Sequence, residues 1–183
     1  PAPTASDIAA ALADAGFVRL LASDDGDAVA ATGLLARALS TTGTPFQASV
    51  HAPFDATTAN TQDAYTVTVG GLDHPADAAV PDDVAASAMA FDVASELTAK
   101  SGTDEATMAQ GEPNPILALA GTIAADEVVP PVVEAAEAAG IDRRPGVSVP
   151  VTDLADGLAH STLFHAPFSG VGDAASAALG KLD

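Results

Sequence analysis

The chain has 183 residues, 25 of them acidic and 6 basic, for a formal net charge of −19. The absence of Cys excludes a disulfide framework and thiolate metal sites. A hydrophobic content of 48%, largely Ala and Val, excludes a disordered acidic tail.

No apolar run approaches membrane-span length and no basic, cleavable leader is visible, so no membrane partner is expected, and the absence of Cys fits a reducing, cytoplasmic setting. A folded domain this acidic, with few Lys and few aromatics, has the composition of a haloarchaeal protein. In molar salt the Debye length falls to about 3 Å, which screens the self-repulsion. An acidic surface made for a partner is the rival reading. The length predicts one domain over residues 1–183.

Residues 1–4 read as a tail, with Pro1 as the residue left by removal of an initiator Met. Ser6 or Asp7 is expected to cap a short helix with Ile8 and Leu12 inward, closed by Gly16. Phe17 to Ala22 is an apolar run of strand length. It breaks at Ser23, Asp24, Asp25, Gly26 and Asp27, and a helix pattern through Val29, Leu34, Leu35 and Leu39 follows. Strand, acidic turn and helix make the first half of a βαβ unit, and open α/β sheets bind ligands at the carboxyl ends of their strands. Asp25 and Asp27 at that place can converge on Mg²⁺ or Mn²⁺. They can equally serve as helix caps and first-turn acids.

Phe46 to Val50 reads as a second strand ending near His51, followed by a polar loop from Pro53 to Gln62 with room to wall a site. Tyr65 to Val69 alternates and is β-branched, a third strand that stops at Gly70 and Gly71. Asp73 and His74 follow in a turn, as a hydrogen-bonded pair or a ligand pair. A helix is expected from Asp82 or Asp83 through Leu97, with Val84, Met89, Phe91, Val93 and Leu97 as its apolar positions. Asn114 and Pro115 are a cap and a first-turn Pro. The nearly all-apolar Ile116 to Ile123 predicts a buried helix, ending at Ala124 to Glu127. Pro130 opens another helix, closed by Gly140. Arg143 and Arg144, the only adjacent basic pair, suit a phosphate clamp or salt pairing. Thr152 and Asp153 cap a short helix ending in His160, and an Ala-rich helix runs from Asp173 to Leu182. His160, Ser161 and His165 come without a Gly-x-Ser-x-Gly elbow, which favours structural roles. There is no dinucleotide fingerprint, P-loop or internal repeat. The pattern predicts an α/β fold, with a parallel sheet early, flanked by helices, and a helix-rich C-terminal half.

Ser23-x-Asp25-x-Asp27 with Ala28, Val29, Ala30 and Ala31, followed by Leu34 to Leu39, resembles the first motif of the DHH phosphoesterases, the superfamily of RecJ-type nucleases. That motif reads His or Asp, x, Asp, x, Asp, Gly before an Ala- and Leu-rich helix. Asp25 and Asp27 match; Ser23 replaces the leading His or Asp, and Ala28 replaces the Gly. Asp73 and His74 are similar to the name-giving Asp-His-His, with Pro75 in place of the second His and a shorter spacing than the family's. Alternatively Gly70 occupies the Asp position of the second motif, and the third has been lost or merged. The helix expected after Asp82 matches the one that follows the Asp-His-His motif. Asp126 is the nearest counterpart of the family's final metal-site Asp. The resemblance implies a single DHH-type domain, with the second RecJ-type domain absent from this chain.

Two functions follow from the resemblance. One is a RecJ-like protein of DNA replication and repair with a degenerate active site, a scaffold whose implied partner is the GINS complex. The other is an active nuclease or phosphoesterase on single-stranded nucleic acid. It would use Mn²⁺ or Mg²⁺ held by Asp25, Asp27, Asp73 and Asp126, with His74 as the catalytic contact to the phosphate. A two-metal site needs about five or six protein ligands. Ser23, Gly70 and Pro75 stand where the active pattern wants a ligand or phosphate contact, which tips the reading toward reduced or lost catalysis.

Overall fold

The computed structural model describes residues 3–52, 64–80, 84–100, 112–143, 151–162 and 165–181. The chain divides into two compact units, Pro1–Asp142 and Arg143–Asp183, where length alone predicts one domain. The first unit is an α/β fold. Its elements in order are α1 (Ala5–Asp14), β1 (Val18–Ser23), α2 (Gly26–Thr42), β2 (Phe46–His51), β3 (Tyr65–Val69), β4 (Ala78–Val80), α3 (Ala86–Lys100), α4 (Pro115–Ala124) and α5 (Pro130–Ala138).

The four strands form one parallel sheet in the order β2-β1-β3-β4. From β1 the chain passes through α2 to β2 on one side, then returns to place β3 on the other. The boundary between β1 and β3 is therefore a topological switch point, the place where open parallel sheets bind ligands. β1 is buried along almost its whole length, as expected of a central parallel strand. Val18, Leu20 and Ala22 share a core with Val67 and Val69 of β3 and with Val80 of β4. α1 adds Ile8 and Leu12 to it, α2 adds Leu34, Leu35 and Leu39, and α3 adds Val93 and Leu97.

Local chemistry explains the helix starts. The cap of α1 is Thr4, not Ser6 or Asp7. Its hydroxyl accepts the Asp7 N–H at 3.2 Å and the Asp7 carboxylate accepts the Thr4 N–H at 3.0 Å, a reciprocal box. The Thr4 bonds hold the Asp7 carboxyl below the ordinary carboxylate range. Asn114 caps α4, accepting from Ile116 at 3.0 Å and Leu117 at 3.2 Å, with Pro115 in the first turn.

α4 corrects its sequence-based expectation. Ala118, Gly121 and Thr122 are buried, while Ile116 is 44% and Ile123 67% exposed. The inward face is the small one because α4 crosses its neighbours closely. A Cβ on Gly121 would collide with Ser87 of α3 and come within 2.9 Å of Ala30 on α2. One on Gly26 would lie 3.0 Å from Ala124. Val29 and Val84, expected inward, are exposed; Val84 precedes α3 instead of lying in it.

In the second unit α6 (Leu154–Ala159) and α7 (Gly172–Leu179) pack on each other, with Ala159 and Ala175 buried. Asp153 caps α6 by accepting the Asp156 N–H at 2.9 Å. The Gly170 N–H bonds the Ala159 carbonyl at 2.7 Å. Among the described residues, no helix is long and apolar enough to cross a membrane.

Candidate functional site at the carboxyl edge of the sheet

β1 delivers Ser23 to the carboxyl edge, and the chain turns there through Asp24 and Asp25 into α2. Asp25 is the N-cap of α2, extended at φ −106°, ψ 160°. Its Oδ1 accepts the Ala28 N–H at 2.8 Å, and its Oδ2 accepts the Ser23 hydroxyl in a short hydrogen bond. Ser23 Oγ also lies 3.5 Å from the Val69 carbonyl at the end of β3. Gly70 follows, at φ +77°, a conformation that Gly adopts without penalty. A Cβ there would collide with Ser23 Oγ, lie 2.5 Å from Ala28 Cβ and approach Asp25 Oδ2 to 3.2 Å. Ser23, Asp25 and Gly70 thus close on one another at the switch point. His51, in register with Ser23 on β2, has its Nε2 2.7 Å from Ser49 Oγ.

Asp27 takes a different part. It is 8% exposed and in phase with the buried stripe Ala31, Leu34, Leu35 and Ala38 of α2. Its Oδ2 accepts the Ala86 N–H at 2.6 Å and its Oδ1 the Ser87 N–H at 3.0 Å. The neighbouring Ala85 N–H is bonded by Glu127 Oε2 at 3.0 Å. Two carboxylates from other elements therefore cap α3, where unsatisfied N–H groups and the helix dipole favour negative charge. Asp126, the exposed residue before Glu127, has φ +57°, the left-handed conformation that Asp tolerates. Its turn aims Glu127 at α3.

Asp73 and His74 lie in the return from Gly70 to Asp77, which brings the chain from the carboxyl end of β3 back to the start of β4. Asp77 anchors that return: its Oδ2 accepts the Thr66 N–H at 2.8 Å and its own N–H bonds the Thr66 carbonyl at 2.9 Å. Burial, aided by the Asp77 charge, pushes the Tyr65 phenol above its ordinary pKa. Asp73 is exposed and half-buried His74 has Nδ1 2.7 Å from the Pro75 carbonyl. A carbonyl only accepts, so that bond places a proton on Nδ1.

Asp25, Asp27, Asp73, Asp126 and His74 are thus spread over a cap, a helix clamp, a return loop and a left-handed turn. Among the described residues, no three His, Asp or Glu side chains gather as a metal ion requires. Among the described residues, the donor set does not fit the paired Mn²⁺ or Mg²⁺ ions that the resemblance implies. Of the basic pair, Arg143 is exposed and Arg144 lies outside the described residues. His160 contacts Asp156 of its own helix, with Nδ1 3.2 Å from Oδ1.

No family model matches the chain. No solved structure matches it either. Over its full length the chain is 51% identical to an uncharacterized protein of Haloarcula marismortui, and it spans 45% of that relative's length.

A groove of about 700 Å³ lies elsewhere, lined by Thr41 at the end of α2, Ser95 and Thr98 late in α3, Pro113, and Ala135 and Ala138 of α5. The start of α3 meets Asp27, so the groove sits at the opposite ends of α2 and α3 from the carboxyl edge. Its hydroxyls on Thr41, Ser95 and Thr98 donate to carbonyls of their own helices. The switch-point reading and this groove therefore do not coincide. The chemistry-bearing side chains are at the former.

Proposed function

We propose that this chain is a RecJ-like protein of the DHH family, acting in the cytoplasm in DNA replication or repair, whose carboxylates have passed from metal binding to holding the fold. It works as a scaffold for replication partners such as the GINS complex, with reduced or no catalysis. The observation that carries this reading is the Asp27 clamp: both of its oxygens accept amide protons at the start of α3. The closure of Gly70 on Ser23 and Asp25 supports it, because a side chain at position 70 has no room beside Ser23. The scattered cations and the net charge of −19 favour a protein partner over nucleic acid.

A second reading is an Mn²⁺- or Mg²⁺-dependent single-strand nuclease or phosphoesterase. It is favoured by one feature, the position of Asp25 at the switch point of a parallel sheet. Calorimetric titration of Mn²⁺ in molar KCl, wild type beside Asp25→Ala and Asp25→Ala/Asp27→Ala, separates the two. The scaffold reading expects equal, weak heats from all three proteins. Stoichiometric binding by the wild type that is lost in Asp25→Ala would overturn it and call for assays on single-stranded DNA.

A further inference from the structure

Among the described residues β2 is an edge strand, and its register with β1 decides where its backbone groups point. Val18 pairs with Phe46 and its N–H bonds the Pro45 carbonyl at 2.9 Å. Pro45, Gln47, Ser49 and His51 therefore turn their backbone toward β1, and the N–H and C=O groups of Phe46, Ala48 and Val50 point out along the edge. Soluble proteins blunt such edges with Lys, Pro, a bulge or a covering element. Phe46–His51 contains no Lys, Arg, Asp, Glu or Pro, and Gln47, Ala48 and Val50 are exposed, Val50 by 53%. Every described helix except α4 carries a carboxylate. Among the described residues, the β2 edge is thus a place where a second chain of charge −19 can approach without setting acid against acid.

We propose that β2 pairs with the β2 of a second copy of this chain, antiparallel about a two-fold axis at Ala48. The strand is self-complementary in that register. Ala48 faces its own equivalent, and Phe46 faces Val50 of the second copy. All are hydrogen-bonded pairs, so the outward N–H and C=O groups of both strands are satisfied together. Phe46, Ala48 and Val50 also share one face of the sheet, which sets an aromatic against a β-branched side chain across the join and a small residue at the axis. A two-fold join of this kind uses up both β2 edges and cannot propagate into a fibre. A join through one short strand lies below the roughly 1,200 Å² of a standard stable interface, so monomer and dimer exchange with concentration.

The test is sedimentation velocity of the full chain in molar KCl over a wide concentration range. Wild type is run beside Ala48→Pro, Val50→Glu and Ile123→Glu. Ala48→Pro deletes an outward N–H without touching the β1 ladder, and Val50→Glu puts a charge opposite Phe46. Far-UV circular dichroism and the thermal midpoint at low concentration establish that each variant is folded. The proposal expects a concentration-dependent dimer for wild type and Ile123→Glu, and monomer throughout for the two β2 variants. Should Ala48→Pro fail to fold, the exposed Val50→Glu decides alone. A wild type that stays monomeric, or a dimer that survives Val50→Glu but is lost in Ile123→Glu, would overturn it, the latter assigning association to the α4 face.

Discussion

Asp27 and Ala86 stand 59 positions apart, and the carboxylate of one accepts the amide proton of the other at 2.6 Å, beneath the start of α3. Ser87 donates to the same carboxylate, so one side chain on α2 satisfies two N–H groups that α3 cannot satisfy itself. Removing it leaves buried donors without a partner. Asp27→Ala should cost about 3 kcal/mol and Asp27→Asn, which keeps one acceptor, about half of that. Urea unfolding in molar KCl measures both. A loss below about 0.5 kcal/mol for Asp27→Ala would mean that the carboxylate is not holding α3, and would reopen Asp27 as a metal ligand.

Much of this fold can be read from residue patterns. The runs at Phe17–Ala22, Phe46–Val50 and Tyr65–Val69 became β1, β2 and β3 within a residue or so at each end, because apolar or alternating runs bounded by turn residues have few other uses. β4 left no such trace. Ala78–Val80 is three residues with no alternation, and only its pairing with β3 makes it a strand. The start of α3 was equally hidden: Asp82 and Asp83, one of which is expected to begin the helix, lie outside the described residues, and the cap comes from Asp27 and Glu127. Asp27 did carry one legible signal, an acid in phase with the apolar stripe of its helix. The sequence left Asp25 open between cap and metal ligand. The hydrogen bond to Ala28 makes it the cap of α2.

Gly70 tests the closed switch point. Gly43 shares its left-handed φ, +75° against +77°, but a Cβ on Gly43 would meet nothing within 4 Å. Gly43→Ala should therefore cost only the conformational penalty, about 1 kcal/mol. Gly70→Ala adds a collision with Ser23 and Ala28 and should cost about 2–4 kcal/mol. The double variant Gly70→Ala/Ser23→Ala, measured by the same urea titration, should recover part of that excess. Equal costs at Gly43 and Gly70 would contradict the close packing of β1 against the end of β3.

Ser87 reverses the usual direction of a core substitution. Its side chain is fully buried and its hydroxyl has no hydrogen-bond partner among the described residues, although its backbone N–H is held by Asp27. Ser87→Ala should be neutral or stabilising by up to about 1 kcal/mol, since a desolvated hydroxyl is lost and no bond with it. The same change should relieve only the hydroxyl part of the overpacking in Gly121→Ala, about 1–3 kcal/mol in all, because the added Cβ meets both Cβ and Oγ of Ser87 and alanine keeps the Cβ. A Ser87→Ala variant destabilised by more than about 1 kcal/mol would imply a partner for that hydroxyl, such as a buried water.

Asp92 on α3 supplies a pH signature. Burial, with Glu96 one turn along adding like charge, raises its carboxyl pKa above the ordinary value. The folded protein thus holds this proton more tightly than the unfolded chain does. The stability that the bound proton contributes is fully present below the ordinary carboxylate pKa. It is lost as pH rises through the raised, folded value. At neutral pH wild type therefore carries a charge that the fold disfavours, and Asp92→Asn should be the more stable protein. The advantage should shrink as pH falls through the carboxylate range, where Asp92 becomes neutral in both states. Molar KCl screens the part owed to Glu96 more than the part owed to burial, so some advantage should remain in salt. Urea midpoints of both proteins at neutral and acid pH measure the difference. An advantage for Asp92→Asn that grows on acidification would reverse the sign and show the ionised carboxylate to be favoured in the fold.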